Sequence, residues 1–204
     1  MEGNHMIPEA LKASVRVNSI ASGTIFKVDH GKQLAYVLST GHLPAGCRSV
    51  ELFFEAGHRF RKPLVVPAVS LLAVMNFETG VDFSILQIKV TGHFVHWTPI
   101  GQRIEQGTRL LSVGCSGGDY PSHFEVKVLN KRPDRNDYVF QTCCDEKIIG
   151  GRSGGGIFHG DNIVGVTWGA TGLTEKSSTL GLLTDAGTIR KIMLASGFKH
   201  LIKP

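Results

Sequence analysis

Two serines in this chain stand before glycine pairs. Ser153 lies in "GGRSGGGIF" (150–158) and Ser116 in "GCSGGDYP" (114–121). A serine so placed can belong to a flexible loop. It can also be a nucleophile on a tight turn, where backbone N–H groups are free to meet an oxyanion. Acyl transfer further requires a base within reach of the hydroxyl and a group that orients the base. "AYVLSTGHL" (35–43) offers a base in His42, at the end of an apolar run. "GVDFSILQI" (80–88) offers an orienting carboxylate in Asp82, isolated among apolar neighbours. Alone, a histidine near a strand end is more often structural, and an aspartate before a strand is more often a turn residue. The order histidine, aspartate, glycine-flanked serine is what makes them a candidate set.

The two serines differ in context. Ser153 is followed by an apolar stub, a "HGDN" turn (159–162) and the apolar run "VGVTWG" (164–169). Ser116 is followed by Asp119, Tyr120 and Pro121 and then by a charged, alternating segment, as in a loop after a strand. On these residues alone a flexible glycine-rich loop remains the simpler reading of "GGRSGGG", and the choice between the two serines stays open. Other chemistry has little support. Cys47, Cys115, Cys143 and Cys144 form no CxxC pair, so neither a zinc site nor a disulfide framework is expected and the thiols read as free. His93 and His96 are three apart but lack a third ligand, and read as surface or interface histidines. Neither a metal nor a cofactor is expected.

The elements that must position these residues are short and extended. Of 204 residues, 42% are hydrophobic and 19% charged, enough to bury a core. Gly is abundant at 25, and the apolar runs are short. Alternation and β-branched content predict strands over 14–20, 23–28, 33–40, 49–54, 64–74 and 83–90. Pro67 marks a bend or break within 64–74, and "DHGK" (29–32) reads as a hairpin turn. After a less regular stretch, strands are predicted at 109–114, 123–130, 137–144, 156–160, 162–169 and 178–184. Such spacing argues an all-β sandwich or barrel. Only "TDAGTIRKIMLASG" (184–197) reads as a helix, capped by Thr184 or Asp185, with Ile189, Ile192 and Met193 on one face and Gly197 as its stop.

"LSTGHL", "VDFSILQI", "GGRSGGGIF" and "VGVTWG" together resemble the four landmark segments of the chymotrypsin-like (trypsin-like) serine proteases. The resemblance runs from about Ser14 to the terminal helix. It implies two packed antiparallel β-barrels with a C-terminal helix. Residues 1–13 would be an N-terminal extension, 14–90 a first barrel carrying the histidine and aspartate, and 91–102 a linker. Residues 103–185 would be a second barrel carrying the serine, and 186–204 a helix and tail. It implies a serine endopeptidase acting through His42, Asp82 and Ser153, with the N–H groups of Gly151 and Ser153 as oxyanion hole. A specificity pocket would involve Lys147, Ile148, Val166, Thr167, Trp168, Gly169 and Gly181. The substrate would be a protein or peptide. A non-catalytic pseudoprotease binding module and a viral-type self-processing protease are the alternatives.

The chain departs from that pattern in informative ways. Arg152 stands where many members carry an aspartate that pairs with a newly cut N-terminal amine, and arginine cannot make that pair. No Ile-Val-Gly-Gly-like start precedes the first strand. The chain thus resembles the non-zymogen bacterial or viral branch, such as the high-temperature-requirement proteases. Ile148 and Val166 predict an aliphatic pocket, with Lys147 either at its base or in solvent. Net charge is +5, but the basic residues are scattered, as in Arg59, Arg61, Lys62 and Lys131, Arg132, Arg135. They read as a solvated surface, so no nucleic-acid partner is expected. No apolar run reaches membrane-span length, and no signal peptide is visible, so no membrane association and a cytoplasmic setting are expected.

Overall fold

The computed structural model describes residues 9–43, 48–55, 58–143, 147–171 and 179–202. Among them, twelve strands close into two antiparallel barrels of six. The first contains β1 (Ser14–Val17), β2 (Ala21–Asp29), β3 (Leu34–Ser39), β4 (Arg48–Glu55), β5 (His58–Asn76) and β6 (Val81–Lys89). Its order is β1-β2-β3-β6-β5-β4, and β1 pairs with both β2 and β4 to close it. The second contains β7 (Arg109–Gly114), β8 (Ser122–Lys131), β9 (Asp137–Thr142), β10 (Gly156–His159), β11 (Asn162–Ala170) and β12 (Leu180–Asp185). Its order is β10-β11-β12-β9-β8-β7, closed by pairing of β10 with β7. Closure removes the open sheet edges that short strands would otherwise expose.

Alternation along the strands fills each barrel. Val37, Leu86 and Ile88 meet Val15, Val17 and Leu52 inside the first; Val126, Val128 and Phe140 meet Ile157 and Leu183 inside the second. A third cluster lies where the barrels meet. It joins Leu38, Phe83 and Ile85 of the first barrel to Val113, Phe158 and Val166 of the second. Each such fully buried side chain contributes about 1.5–3 kcal/mol. The strands that carry the candidate chemistry, β3 and β6, are therefore held from both sides.

Pro67 does not break its strand. β5 runs for 19 residues. Up to Pro67 it pairs with β4, and from Ala68 onward with β6, with Ala68 shared. Pro67 thus sits at the handover, where the edge facing β6 has no ladder to lose. The hairpin turn after Asp29 is present, with the Lys32 N–H donating to Asp29 Oδ1 at 3.1 Å.

Helix α2 (Ala186–Ala195) begins directly after β12. Asp185 caps it, accepting from the N–H groups of Gly187 at 2.8 Å and Thr188 at 3.3 Å. Phe198 N–H returns to Met193 O at 2.8 Å beyond Gly197, whose φ is +86°, which ends the helix. Ile189 and Met193 are fully buried in the cluster between the barrels. Two four-residue helices, α1 (Glu9–Lys12) and α3 (Lys199–Ile202), are too short to show a period in sequence.

The surface readings need one correction. Arg132 and Arg135 are not a solvated basic face: both pair with the fully buried Asp137. His93 pairs with Glu55 at 2.8 Å and His96 with Glu9 at 3.2 Å. Cys115 and Cys143 are free thiols, while Cys47, Cys144, Asp145 and Glu146 lie outside the described residues.

Candidate active site

Asp82 is the second residue of β6 and has no exposed surface. A carboxylate so far from water needs donors for both oxygens. Oδ1 accepts from the N–H groups of Gly41 at 2.6 Å and His42 at 2.9 Å. Oδ2 accepts from Thr40 Oγ1 at 2.7 Å and meets His42 Nδ1 in a short contact. The turn after β3 therefore wraps the carboxylate, and Asp82 fixes the imidazole through Nδ1. His42 is half-buried, with 32% of its side chain exposed, so its other face stays open.

Ser153 arrives from the opposite barrel on the segment before β10. Its Oγ lies 3.5 Å from the Trp168 carbonyl, and no hydrogen bond among the described residues joins it to His42. The turns that carry them are nonetheless neighbours. A side-chain carbon on Gly154 would strike the carbonyl of Ser22, and would lie 2.5 Å from Ser39 Oγ and 2.9 Å from Thr40 N. Gly154 has φ +87°, a conformation that glycine adopts without strain. The turn that carries Ser153 thus packs directly on the turn that carries His42. Catalytic hydrogen bonds are often long without substrate and tighten in the complex.

Backbone carbonyls around Ser153 all have donors. Gly150 O accepts from Gly117 N–H at 2.6 Å, Gly151 O from Ser22 Oγ at 2.7 Å, and Arg152 O from Gly155 N–H at 2.9 Å. Ser153 O accepts from Ser22 N–H at 2.8 Å. In a trans peptide the N–H points opposite to the carbonyl. The N–H of Gly151 is therefore turned away from the 116–118 turn.

Ser116 has another task. Its hydroxyl accepts from the Arg152 guanidinium at 2.7 Å. Arg152 is 1% exposed and also donates to Ser112 O at 2.8 Å and Ser122 Oγ at 3.1 Å, with its guanidinium 3.9 Å above the Phe124 ring. A buried cation must be hydrogen-bonded on every side, and Ser116 is one of its acceptors.

The expected pocket residues fall into three groups. Val166 is turned into the core between the barrels, and Thr167 is buried, its carbonyl accepting from Gly154 N–H at 2.7 Å. Trp168 is the residue left over at the β11 bulge, half-buried, with its ring stacked on Phe77 at 5.6 Å. Gly169 faces nearly open space, its missing side chain meeting only Leu182 at 3.9 Å. A side chain on Gly181 would overlap the Phe140 ring and Ile148 Cδ1, so this region is apolar and already narrow. Lys147 is exposed.

Several residues at this site were not anticipated. Phe77 leans on His42 at 6.2 Å and stacks on Trp168, and the Arg132 guanidinium lies over the Trp168 ring at 5.7 Å. An exposed aromatic on a tight turn was the available signal for it. Thr184 of β12 accepts from the N–H of Asp82 at 3.0 Å, and Ser22 donates to the Gly151 carbonyl in the turn before β10 at 2.7 Å. Both are small polar residues in apolar strands, which no local pattern distinguishes.

No family model matches the sequence, and no curated protein matches it. Solved structures do. A serine endoprotease from Yersinia pestis superposes over 95% of this chain with a TM-score of 0.64 at 18% identity. The fold is that of the chymotrypsin-like serine proteases. The protease Rv3671c of M. tuberculosis, in an inactive form, matches over 97% of this chain and 92% of its own, with a TM-score of 0.65 at 17% identity. The HtrA-type protease AlgW with a decapeptide matches over 86% of this chain, with a TM-score of 0.64 at 18% identity. This chain spans 65% of the Yersinia protein and 50% of AlgW.

Proposed function

We propose that the chain is a serine endopeptidase, with His42 and Asp82 contributed by the first barrel (14–90) and Ser153 by the second (103–185). The observation that carries this reading is the buried Asp82 carboxylate on His42 Nδ1, beside the turn that bears Ser153. Ser153 Oγ attacks the scissile carbonyl while His42 Nε2 takes its proton. The oxyanion that forms is met by the N–H groups of Gly151 and Ser153. His42 returns the proton to the leaving amine, and water then hydrolyses the acyl-enzyme by the same route. Asp82 keeps Nδ1 protonated and stabilises the imidazolium. One lost oxyanion donor costs about 3–4 kcal/mol of transition-state stabilisation.

The apolar setting of Gly181, bounded by Phe140 and Ile148, favours a small or medium aliphatic residue before the scissile bond. Lys147 in solvent weakens the case for an acidic one. An Arg or Lys there would lose several kcal/mol of solvation without a carboxylate to meet it. A peptide-library cleavage profile checks this, and a strong Arg or Lys preference overturns it. Arg152 is satisfied by serines of the second barrel, which supports activity without cleavage to create a new amine.

The test is labelling with a fluorophosphonate probe. Wild type and Ser116→Ala are expected to label, and Ser153→Ala is not. Labelling of Ser153→Ala would overturn the nucleophile assignment. A folded wild type that never labels would leave the fold serving as a binding module.

A further inference from the structure

The oxyanion site proposed above depends on backbone N–H groups, and these keep their aim only while the turn that carries them keeps its conformation. Ser22, on β2 of the first barrel, touches that backbone on both sides of Arg152. Its hydroxyl donates to Gly151 O at 2.7 Å, and its N–H donates to Ser153 O at 2.8 Å. The same hydroxyl accepts from the Cys115 N–H at 2.7 Å, which fixes the direction of its proton toward Gly151. Its own carbonyl is held by Ser39 Oγ at 2.7 Å. Ser22 has no exposed surface, so water cannot substitute for it.

We infer that Ser22 is the positioning residue of the oxyanion turn, reaching across from one barrel to set the backbone that receives charge in the other. It touches neither substrate nor reacting atoms. It acts by pinning Gly151 O and Ser153 O, the peptide planes on either side of the Arg152–Ser153 peptide, and so helps hold the turn in the conformation in which Gly151 has φ +91°. The planes of the two oxyanion N–H groups themselves are set by Gly117 N–H on Gly150 O at 2.6 Å and by Gly155 N–H on Arg152 O at 2.9 Å, and the Ser22 clamp holds the peptides next to them. A glycine-rich segment such as 150–156 has many alternative conformations, and an external clamp removes them. The assignment also gives the buried Ser22 hydroxyl a purpose: it serves two backbone groups, Gly151 O and Cys115 N–H, that would otherwise be buried without partners.

This inference rests on the reading of Ser153 as nucleophile, and the experiment separates the two. Fluorophosphonate labelling rates and peptide-cleavage kinetics are measured for wild type, Ser22→Ala and Ser14→Ala. Ser14 also donates from a buried hydroxyl to a backbone carbonyl, that of Ala10 at 3.0 Å, but it lies away from the 150–153 turn. It therefore matches the loss of one buried hydrogen bond. Removing an oxyanion donor outright lowers kcat by about 10²–10³-fold, and a donor left in place but unaimed loses less, about tenfold. Ser22→Ala is expected to lower kcat and the labelling rate about tenfold with KM nearly unchanged, while Ser14→Ala leaves both rates near wild type. Should Ser22→Ala not fold, Ser22→Cys, with a thiol that donates only weakly, is measured with the same expectation. A folded Ser22 variant that labels within twofold of wild type overturns the inference. So does an equal fall in Ser14→Ala, or a rise in KM with kcat intact. A wild type that does not label at all overturns the nucleophile reading and the inference with it.

Discussion

A carboxylate held out of water is stable only while every lone pair it presents has a donor, and Asp82 shows what that requires. Four donors converge on it from three consecutive residues, Thr40, Gly41 and His42. Gly41 fits because a side chain there would strike the Val74 carbonyl and crowd Asp82 itself. Thr40→Val keeps the shape and removes one donor from Oδ2. Stability is expected to fall by about 1.5–3 kcal/mol, the range for a hydrogen bond to a charged group. The labelling rate of Ser153 is expected to fall with it, because the same oxygen orients His42; a thermal melt and a labelling time course check the two effects. The thiol of Cys115 shows the opposite case. Burial pushes it up to about 12, only partly opposed by Ser22, Arg16 and Arg152. At pH 8 it stays protonated in the folded protein, and thiolate is the reactive form. Iodoacetamide at that pH is expected to modify Cys115 only after unfolding, as peptide mapping with and without denaturant will show. At this scale the candidate site was half legible. His42, Asp82 and Ser153 were nominated by residue type, order and the family resemblance. Thr40, Ser22 and Thr184 did not, because their work is done by a hydroxyl whose partners lie far away along the chain.

At the scale of elements, the 116–118 turn behind Ser153 is supported from the first barrel. Arg16 of β1 pairs with Glu51 of β4 and donates to the Gly118 carbonyl at the end of the 116–118 turn. Glu51 is 5% exposed and takes a further hydrogen bond from Ser19 at 2.7 Å. The Arg16 guanidinium holds the Glu51 carboxyl below the ordinary carboxylate value of 4.5, and Ser19 adds to the effect. The pair's contribution to stability is therefore complete above about pH 4.5 and is lost as pH falls through the lowered value. Glu51→Gln is expected to destabilise by about 2 kcal/mol at neutral pH. It should also flatten the acid limb of a plot of unfolding free energy against pH; an unchanged limb would assign the acid sensitivity elsewhere. Strand positions were largely readable here, since alternation reports one buried face. β7 was expected at 109–114 and occupies Arg109–Gly114. β5 was readable only in part: a strand was expected over 64–74 with a bend or break at Pro67, and it runs unbroken from His58 to Asn76, because a strand that changes partners half-way shows no single alternation.

Over the whole molecule, the barrels are joined by more than adjacency, and sequence could not reveal this because every joining contact is long-range. Asn136 N–H donates to Thr79 O at 2.7 Å and Arg135 to Phe77 O, tying the β8–β9 loop to the turn before β6. The apolar cluster between the barrels includes Ile189 and Met193 of α2, both fully buried. Helix α2 lies against β11 and β12 of the second barrel, and its Ile189 and Met193 enter the cluster that the second barrel shares with the first, so it stabilises that barrel and the docking of the two. The two barrels are therefore expected to unfold in one cooperative transition rather than two. Met193→Ala leaves both barrel interiors intact and opens a cavity at the seam. It is expected to cost about 2–5 kcal/mol and to lower the single midpoint rather than split it. Denaturant unfolding followed by near-UV circular dichroism and, in parallel, by loss of Ser153 labelling measures this directly. If labelling disappears well before the spectral transition in Met193→Ala, the barrels separate before they unfold and the seam is a hinge instead of a core.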